Sequence, residues 1–181
     1  GVNPIRAYMV TEYIPGEDLA SILARRGNLD TEEVVNWGIQ LSDTVSYEHG
    51  KGIIIRDVRP HNIRIKKDGA IAFFDHNVSL TSEYDWAQDS LKFRDTLRYN
   101  WEVEDRNEHP TLRSRPDEMT DVYSIGMTLL QASVHMIGIS TEPEVHHMLW
   151  EVGNDQLEKI ISKAIGPRLK RYKSVLELRS A

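Results

Sequence analysis

The 181-residue sequence contains no cysteine, which excludes disulfides, thiolate metal sites and a cysteine nucleophile. It has no long hydrophobic run. The longest, Met127 to Ile139, is too short for a membrane span and is interrupted by Gln131 and His135. No signal-peptide pattern is present, and with the absence of cysteine this is compatible with a cytoplasmic location. Positive charge is in deficit: 22 Lys and Arg against 28 Asp and Glu give a net charge of −6, which argues against nucleic acid as a partner. There is no internal repeat and no low-complexity segment. What remains is ordinary for one globular domain with a core, 40% hydrophobic and 28% charged.

Taken in order, Ala7 to Ile14 (AYMVTEYI) reads as a strand ended by Pro15-Gly16. Glu17 to Arg26 reads as a short helix with Leu19, Ile22 and Leu23 on one face, stopped by Gly27. Asp30 and Glu33 resemble a capping box for a longer helix carrying Val34, Trp37, Leu41 and Val45 at helical spacing and ending near Gly50. From Asp75 to about Arg115 the chain is polar and irregular, which in a compact domain marks a functional loop, disorder or a misreading. Asn154 caps a helix striped with Leu157, Ile160, Ile161 and Ala164, and Gly166-Pro167 ends it.

The stretch from Ile53 to Asn77 concentrates the chemistry. Ile53, Ile54 and Ile55 lead into Arg56-Asp57, and Pro60 bars a helix through the turn. Ile63 and Ile65 alternate with Arg64 and Lys66, and Lys67-Asp68-Gly69 supplies a hairpin turn before a second strand, Ala70 to Phe74. The hairpin brings Asp57, Asn62 and Asp75 together, a set suited to oxygen coordination of a hard cation such as magnesium. Each alone reads equally well as an ordinary turn residue. Histidine chemistry is not supported, because His61, His76, His146 and His147 show no metal-ligand spacing. Asn77-Val78-Ser79 matches the glycosylation sequon without a secretory context and reads as chance.

Asp57-Val58-Arg59-Pro60-His61-Asn62 resembles the catalytic loop of the eukaryotic-type protein kinases, and Asp75-His76-Asn77 stands where that family has its magnesium motif. Asp121-Val122-Tyr123-Ser124-Ile125-Gly126 resembles the family's central buried helix. The resemblance runs from about Tyr8 to Leu178. It implies a mainly helical, Ser/Thr-type kinase C-terminal lobe with a small β-hairpin. Residues 1–16 would be the last small-lobe strand and hinge, and 17–181 the lobe, with a catalytic loop at 55–62, a magnesium motif at 75–77 and an activation segment at 75–103.

The resemblance assigns Asp57 as catalytic base, Arg59 to the place beside the transferred phosphate, and Asn62 and Asp75 to magnesium. Thr11 would be the gatekeeper, and Glu12, Ile14, Arg64 and Asp75 would contact ATP. Arg56 would meet a phosphorylated activation-segment residue, with Ser79, Thr81, Ser82 and Ser90 as candidates. Thr96 would bridge Asp57 and Arg59. Asp121 would accept catalytic-loop amides, and Arg171 would pair with a structural glutamate for which Glu102 or Glu104 substitutes.

Several positions depart from the family. Ile55 replaces a histidine, and Asn77 a glycine. His76 replaces an aromatic, which predicts a polar ring in a buried hydrophobic column. Arg59 replaces a lysine, exchanging a compact ammonium for a planar fork. Arg64 replaces the apolar residue beneath the adenine ring, where an unpaired guanidinium would cost several kcal/mol. The glycine-rich loop, ATP-binding lysine and partner helix of a small lobe have no counterpart in the seven residues before Tyr8. The isolated chain is therefore expected to be inactive and to bind ATP weakly. Two functions remain open: a Ser/Thr-type catalytic lobe acting on a protein substrate with Mg2+ and ATP, or a pseudokinase lobe that binds partner proteins. An unrelated helical domain with a β-hairpin is the distant third.

Overall fold

The computed structural model describes residues 10–76, 79, 81, 116–134 and 142–181, with 142–144 as backbone only. Six α-helices and three short strands are present among the described residues, with 3-10 turns at Pro60–Asn62 and Arg168–Lys170: β1 (Glu17–Asp18), α1 (Leu19–Arg26), α2 (Thr31–His49), β2 (Ile63–Ile65), β3 (Ile71–Phe73), α3 (Glu118–Val134), α4 (Glu142–Leu149), α5 (Asp155–Ile165) and α6 (Val175–Arg179). The protein is mainly helical, with one small antiparallel sheet in the order β1-β2-β3.

Local chemistry sets the helix starts. The Asp18 carboxylate accepts from Ser21 N and Ser21 Oγ, both at 2.8 Å, so α1 begins at Leu19, two residues later than the composition suggests. Gly27 ends it with φ 79° and an N–H bond to the Leu23 carbonyl. Asp30 caps α2 by accepting from Glu33 N at 2.8 Å. The returning arm of a capping box is absent, because Glu33 gives both carboxylate oxygens to Arg26 at 2.9 and 2.8 Å. A bidentate guanidinium outcompetes a single backbone N–H for that carboxylate.

α3 is the centre of the core. Val122, Ile125 and Leu130 are fully buried, and the hydroxyls of Ser124, Thr128 and Ser133 are tolerated there because each donates to the carbonyl four residues earlier. α3 packs against α5 and α2, and α2 packs against α6. Gly126 makes the α3–α5 approach, since a Cβ there would lie 2.8 Å from both Ala164 Cβ and Ile165 Cγ2. Val34, Trp37, Leu41 and Val45 turn one face of α2 inward, and Asn154 caps α5 at Gln156 N and Leu157 N. No helix among the described residues is long and apolar enough to cross a membrane.

The strand expected over Ala7 to Ile14 does not form in its described part. Residues 10–14 have no regular structure, and Val10 and Tyr13 are 95% and 79% exposed. A strand requires a hydrogen-bonded neighbour, and among the described residues β2 pairs only with Glu17–Asp18 and β3. The hairpin is as expected in type, with Ile63 opposite Phe73, Arg64 opposite Ala72 and Ile65 opposite Ile71. Its turn is closed by Gly69 at φ 81° and by Asp68 Oδ1, which accepts from Ala70 N.

Candidate active site

The hairpin buries Ile63 and Phe73 in the core shared with the helices, and one α2 side chain also hydrogen-bonds it. Gln40 on α2 accepts from Ile71 N at 3.0 Å and donates to the Gly69 carbonyl at 3.3 Å. Phe74 N then donates to the Asn62 carbonyl at 3.2 Å, which returns the chain to the loop of Asp57 and Asn62 just before Asp75.

The loop itself is held from below by Asp121, which is 0% exposed. Its Oδ1 accepts from Arg56 N at 2.7 Å, and its Oδ2 accepts from Ile55 N at 2.8 Å. His49 Nε2 lies 2.7 Å from the same Oδ2, while His49 Nδ1 faces Glu118 at 3.7 Å. Arg56 takes φ 68°, a left-handed conformation unusual for a residue with a side chain, and is itself buried. Ile55, in the place of the family histidine, is fully buried as an apolar residue.

Asp57 follows directly. Asn62 Nδ2 donates to Asp57 Oδ2 at 2.7 Å and to the Asp57 carbonyl at 3.0 Å. Arg59 Nε stands 3.1 Å from Asp57 Oδ1, close enough for an ion pair, and among the described residues Oδ1 accepts no hydrogen bond. The Asp57 carboxyl is pushed above the usual carboxylate range, first by burial and also by the Asp75 charge. Arg59, the Asn62 amide and His61 oppose the shift without cancelling it. Asn62 is buried and commits its nitrogen to Asp57, which leaves its carbonyl oxygen as the ligand-capable atom. That oxygen and the half-buried Asp75 carboxylate fit the hard-donor set of magnesium. Among the described residues no three His, Cys, Asp or Glu side chains form a metal cluster.

The residues that the resemblance assigns to ATP are arranged differently. Glu12 and Thr11 are exposed and Ile14 is half-buried, all outside regular structure. Arg64 neither points freely into solvent nor lies unpaired. Its Nη1 donates to the Gly16 carbonyl at 3.0 Å, and its guanidinium lies 5.1 Å from the centre of the Phe74 ring. His76 corrects an expectation: it is exposed rather than buried in an apolar column. Its ring is tilted against Phe73 at 5.2 Å, with Ser79 Oγ 3.5 Å from its Nδ1. An imidazole keeps its polar edge wet this way while covering Phe73. Ser79 Oγ also donates to the Ile55 carbonyl at 3.3 Å.

Arg171 is buried, donates through Nε to the Gly166 carbonyl at 2.6 Å and stacks 4.6 Å from the Tyr123 ring centre. Thr96, Asn77, Ser82, Ser90, Glu102, Glu104 and most of the 75–103 segment lie outside the described residues. Sequence reasoning passed over His49 and Gln40. The position of His49 at the C-terminal end of a helix, just before the Ile53 to Ile55 run, was the available signal for the first.

A mainly helical lobe carrying this small sheet is a protein-kinase-like architecture. The chain matches the protein kinase domain over residues 2–144 and belongs to that family. It is 24% identical over 138 residues to a "Probable serine/threonine-protein kinase" of Clostridium acetobutylicum, covering 76% of this chain and 20% of that protein. It is 26% identical over 124 residues to a "Probable serine/threonine-protein kinase" of Clostridium perfringens, covering 68% of this chain and 17% of that protein. A CBL-interacting protein kinase of rice, Oryza sativa subsp. japonica, is 38% identical over 74 residues, 41% of this chain and 14% of that protein. The chain thus spans a fifth or less of the length of these relatives.

Proposed function

We propose that the chain is the catalytic lobe of a cytoplasmic Ser/Thr-type protein kinase, transferring phosphate from Mg-ATP to a protein hydroxyl. The observation that carries this reading is the asymmetry of Asp57: Oδ2 is held by Asn62, while Oδ1 faces Arg59 and accepts no hydrogen bond among the described residues. A carboxylate oriented at one oxygen by Asn62 and paired at the other with Arg59 can orient a hydroxyl and take its proton once that hydroxyl enters beside Arg59. Burial raises its pKa, which makes the carboxylate a stronger proton acceptor than an exposed one. Arg59 beside Asp57 supplies positive charge where a phosphoryl group would arrive. Asn62 and Asp75 would hold the cation, which when bound neutralises charge on the nucleotide phosphates.

The test is phosphate transfer from labelled ATP to a Ser/Thr peptide library by the longest natural protein containing this chain. Transfer that falls by about 100-fold or more in Asp57→Asn supports the reading. Transfer that survives the substitution, or none in the parent, overturns it.

A second reading, a non-catalytic kinase lobe that binds partner proteins, is favoured by one observation. Arg64, which the resemblance would put beneath the adenine ring, is already engaged with Gly16 and Phe74.

A further inference from the structure

A flat aromatic ligand is held by two kinds of contact, a ring or apolar face to stack on and a backbone edge to hydrogen-bond. On the outer side of the hairpin both are present within the reach of one residue. Phe74 is 37% exposed, and Gly16 directly precedes β1. Arg64 takes both. Its guanidinium covers the Phe74 ring at 5.1 Å, and its Nη1 donates to the Gly16 carbonyl at 3.0 Å.

The Gly16 segment is pressed close at this point. A Cβ on Gly16, which has φ 139°, would lie 2.3 Å from the Ile65 carbonyl oxygen and 3.1 Å from Arg64 Cγ. Glu17 and Asp18 then pair directly with Ile65 and Arg64. The segment leading into α1 is thus laid against the same strand that leads out of the catalytic loop.

We propose that Arg64 is an internal strap that occupies the base-binding face of the nucleotide site and competes with the nucleotide for it. This rests on the kinase reading above and adds to it a residue that sets nucleotide affinity. A base can stack on Phe74 and reach the Gly16 edge only when the guanidinium leaves both. The strap therefore lowers nucleotide affinity without touching Asp57, Asn62 or Asp75.

The experiment titrates Mg-ADP into the parent chain, Arg64→Leu and Arg64→Lys, followed by amide chemical shifts. Arg64→Leu is expected to bind about tenfold or more tightly than the parent, because no charge-assisted hydrogen bond has to be broken. Arg64→Lys, which keeps the charge but loses the planar fork, should fall between them. Hydrogen exchange at the Glu17 and Asp18 amides, measured without nucleotide, should be faster in Arg64→Leu, and this reads release of the strap independently of binding.

An Arg64→Leu variant that folds and binds no more tightly than the parent overturns the strap, including the case of no saturable binding in either. Should Arg64→Leu fail to fold, Arg64→Lys takes its place under the same criterion. Asp75→Asn separates this outcome from failure of the kinase reading. Parent binding that is already tight and is lost in Asp75→Asn leaves the kinase reading standing and removes the strap. Tighter binding in Arg64→Leu that ignores both magnesium and Asp75→Asn keeps the strap and removes the metal role of Asp75.

Discussion

The two sides of the hairpin are fastened by opposite means. On the inner side the loop from Ile55 to Asn62 is tied to α3 by Asp121, a carboxylate with no exposure, and Asp57 and Asn62 are themselves buried. On the outer side Gly16, β1 and the Arg64–Phe74 pair are joined by half-buried or exposed groups. Polar atoms in the core are costly to disturb, because a lost partner leaves a group that water does not reach. Surface contacts exchange with water at little cost. The face carrying Asp57 and Asn62 is therefore the rigid one, and the side carrying Gly16 and Arg64 is the adjustable one.

This contrast can be broken most forcefully at its inner anchor. Asp121→Ala removes the acceptor of two loop amides and of His49 and is expected to cost about 3–5 kcal/mol, measured by urea denaturation. A cost near that of a surface substitution would remove the distinction between the two sides. Next is the seat of the helix that carries the anchor. Gly126→Ala forces a methyl against Ala164 and Ile165 and should cost about 1–3 kcal/mol.

The outer side should respond less. Asp18→Ala removes the cap of α1 and should cost about 1 kcal/mol at neutral pH. Burial raises the Asp18 pKa, but the Ser21 amide and hydroxyl outweigh it and hold it below the usual value. Its contribution is therefore present above about pH 4 and is lost as pH falls through the depressed folded value. Melts of parent and Asp18→Ala that stay equally far apart on acidification would contradict this.

The smallest effect on stability is expected at Asp57 itself. Its folded pKa is raised, chiefly by burial, so its ionised form is disfavoured by folding. Stability from this group falls as pH rises from about 4 through the raised folded value, and is flat above it. Asp57→Asn should thus be no less stable than the parent at about pH 7, and its advantage should shrink toward about pH 4. Urea midpoints at the two pH values decide this.

What could be read from the sequence was local. The Asp30 cap, the α2 face of Val34, Trp37, Leu41 and Val45, and the Lys67-Asp68-Gly69 turn all depend on neighbours within a few residues. The resemblance located the Asp57 and Asp121 motifs, but not what surrounds them. The Gly16–Arg64 bond joins residues 48 apart, and Gln40 reaches Ile71 across 31. No periodicity encodes such pairings. The exposed His76 was misread for the same reason: an aromatic position predicts burial, whereas an imidazole covers Phe73 and keeps one edge in water. The strand expected over Ala7 to Ile14 had the right residues, but among its described positions, 10–14, no β pairing is present.

One further consequence follows from the left-handed turn at Arg56. That turn aims two successive backbone N–H groups, from Ile55 and Arg56, at one carboxylate, which makes the loop a small anion-binding concavity filled by Asp121. The anion comes from 66 and 65 residues along the chain. Contacts of such sequence separation close late, after the loop-closure entropy has been met. The loop from Ile55 to Asn62 should accordingly be among the last parts of the lobe to take shape during folding, and among the first to lose it if α3 is loosened.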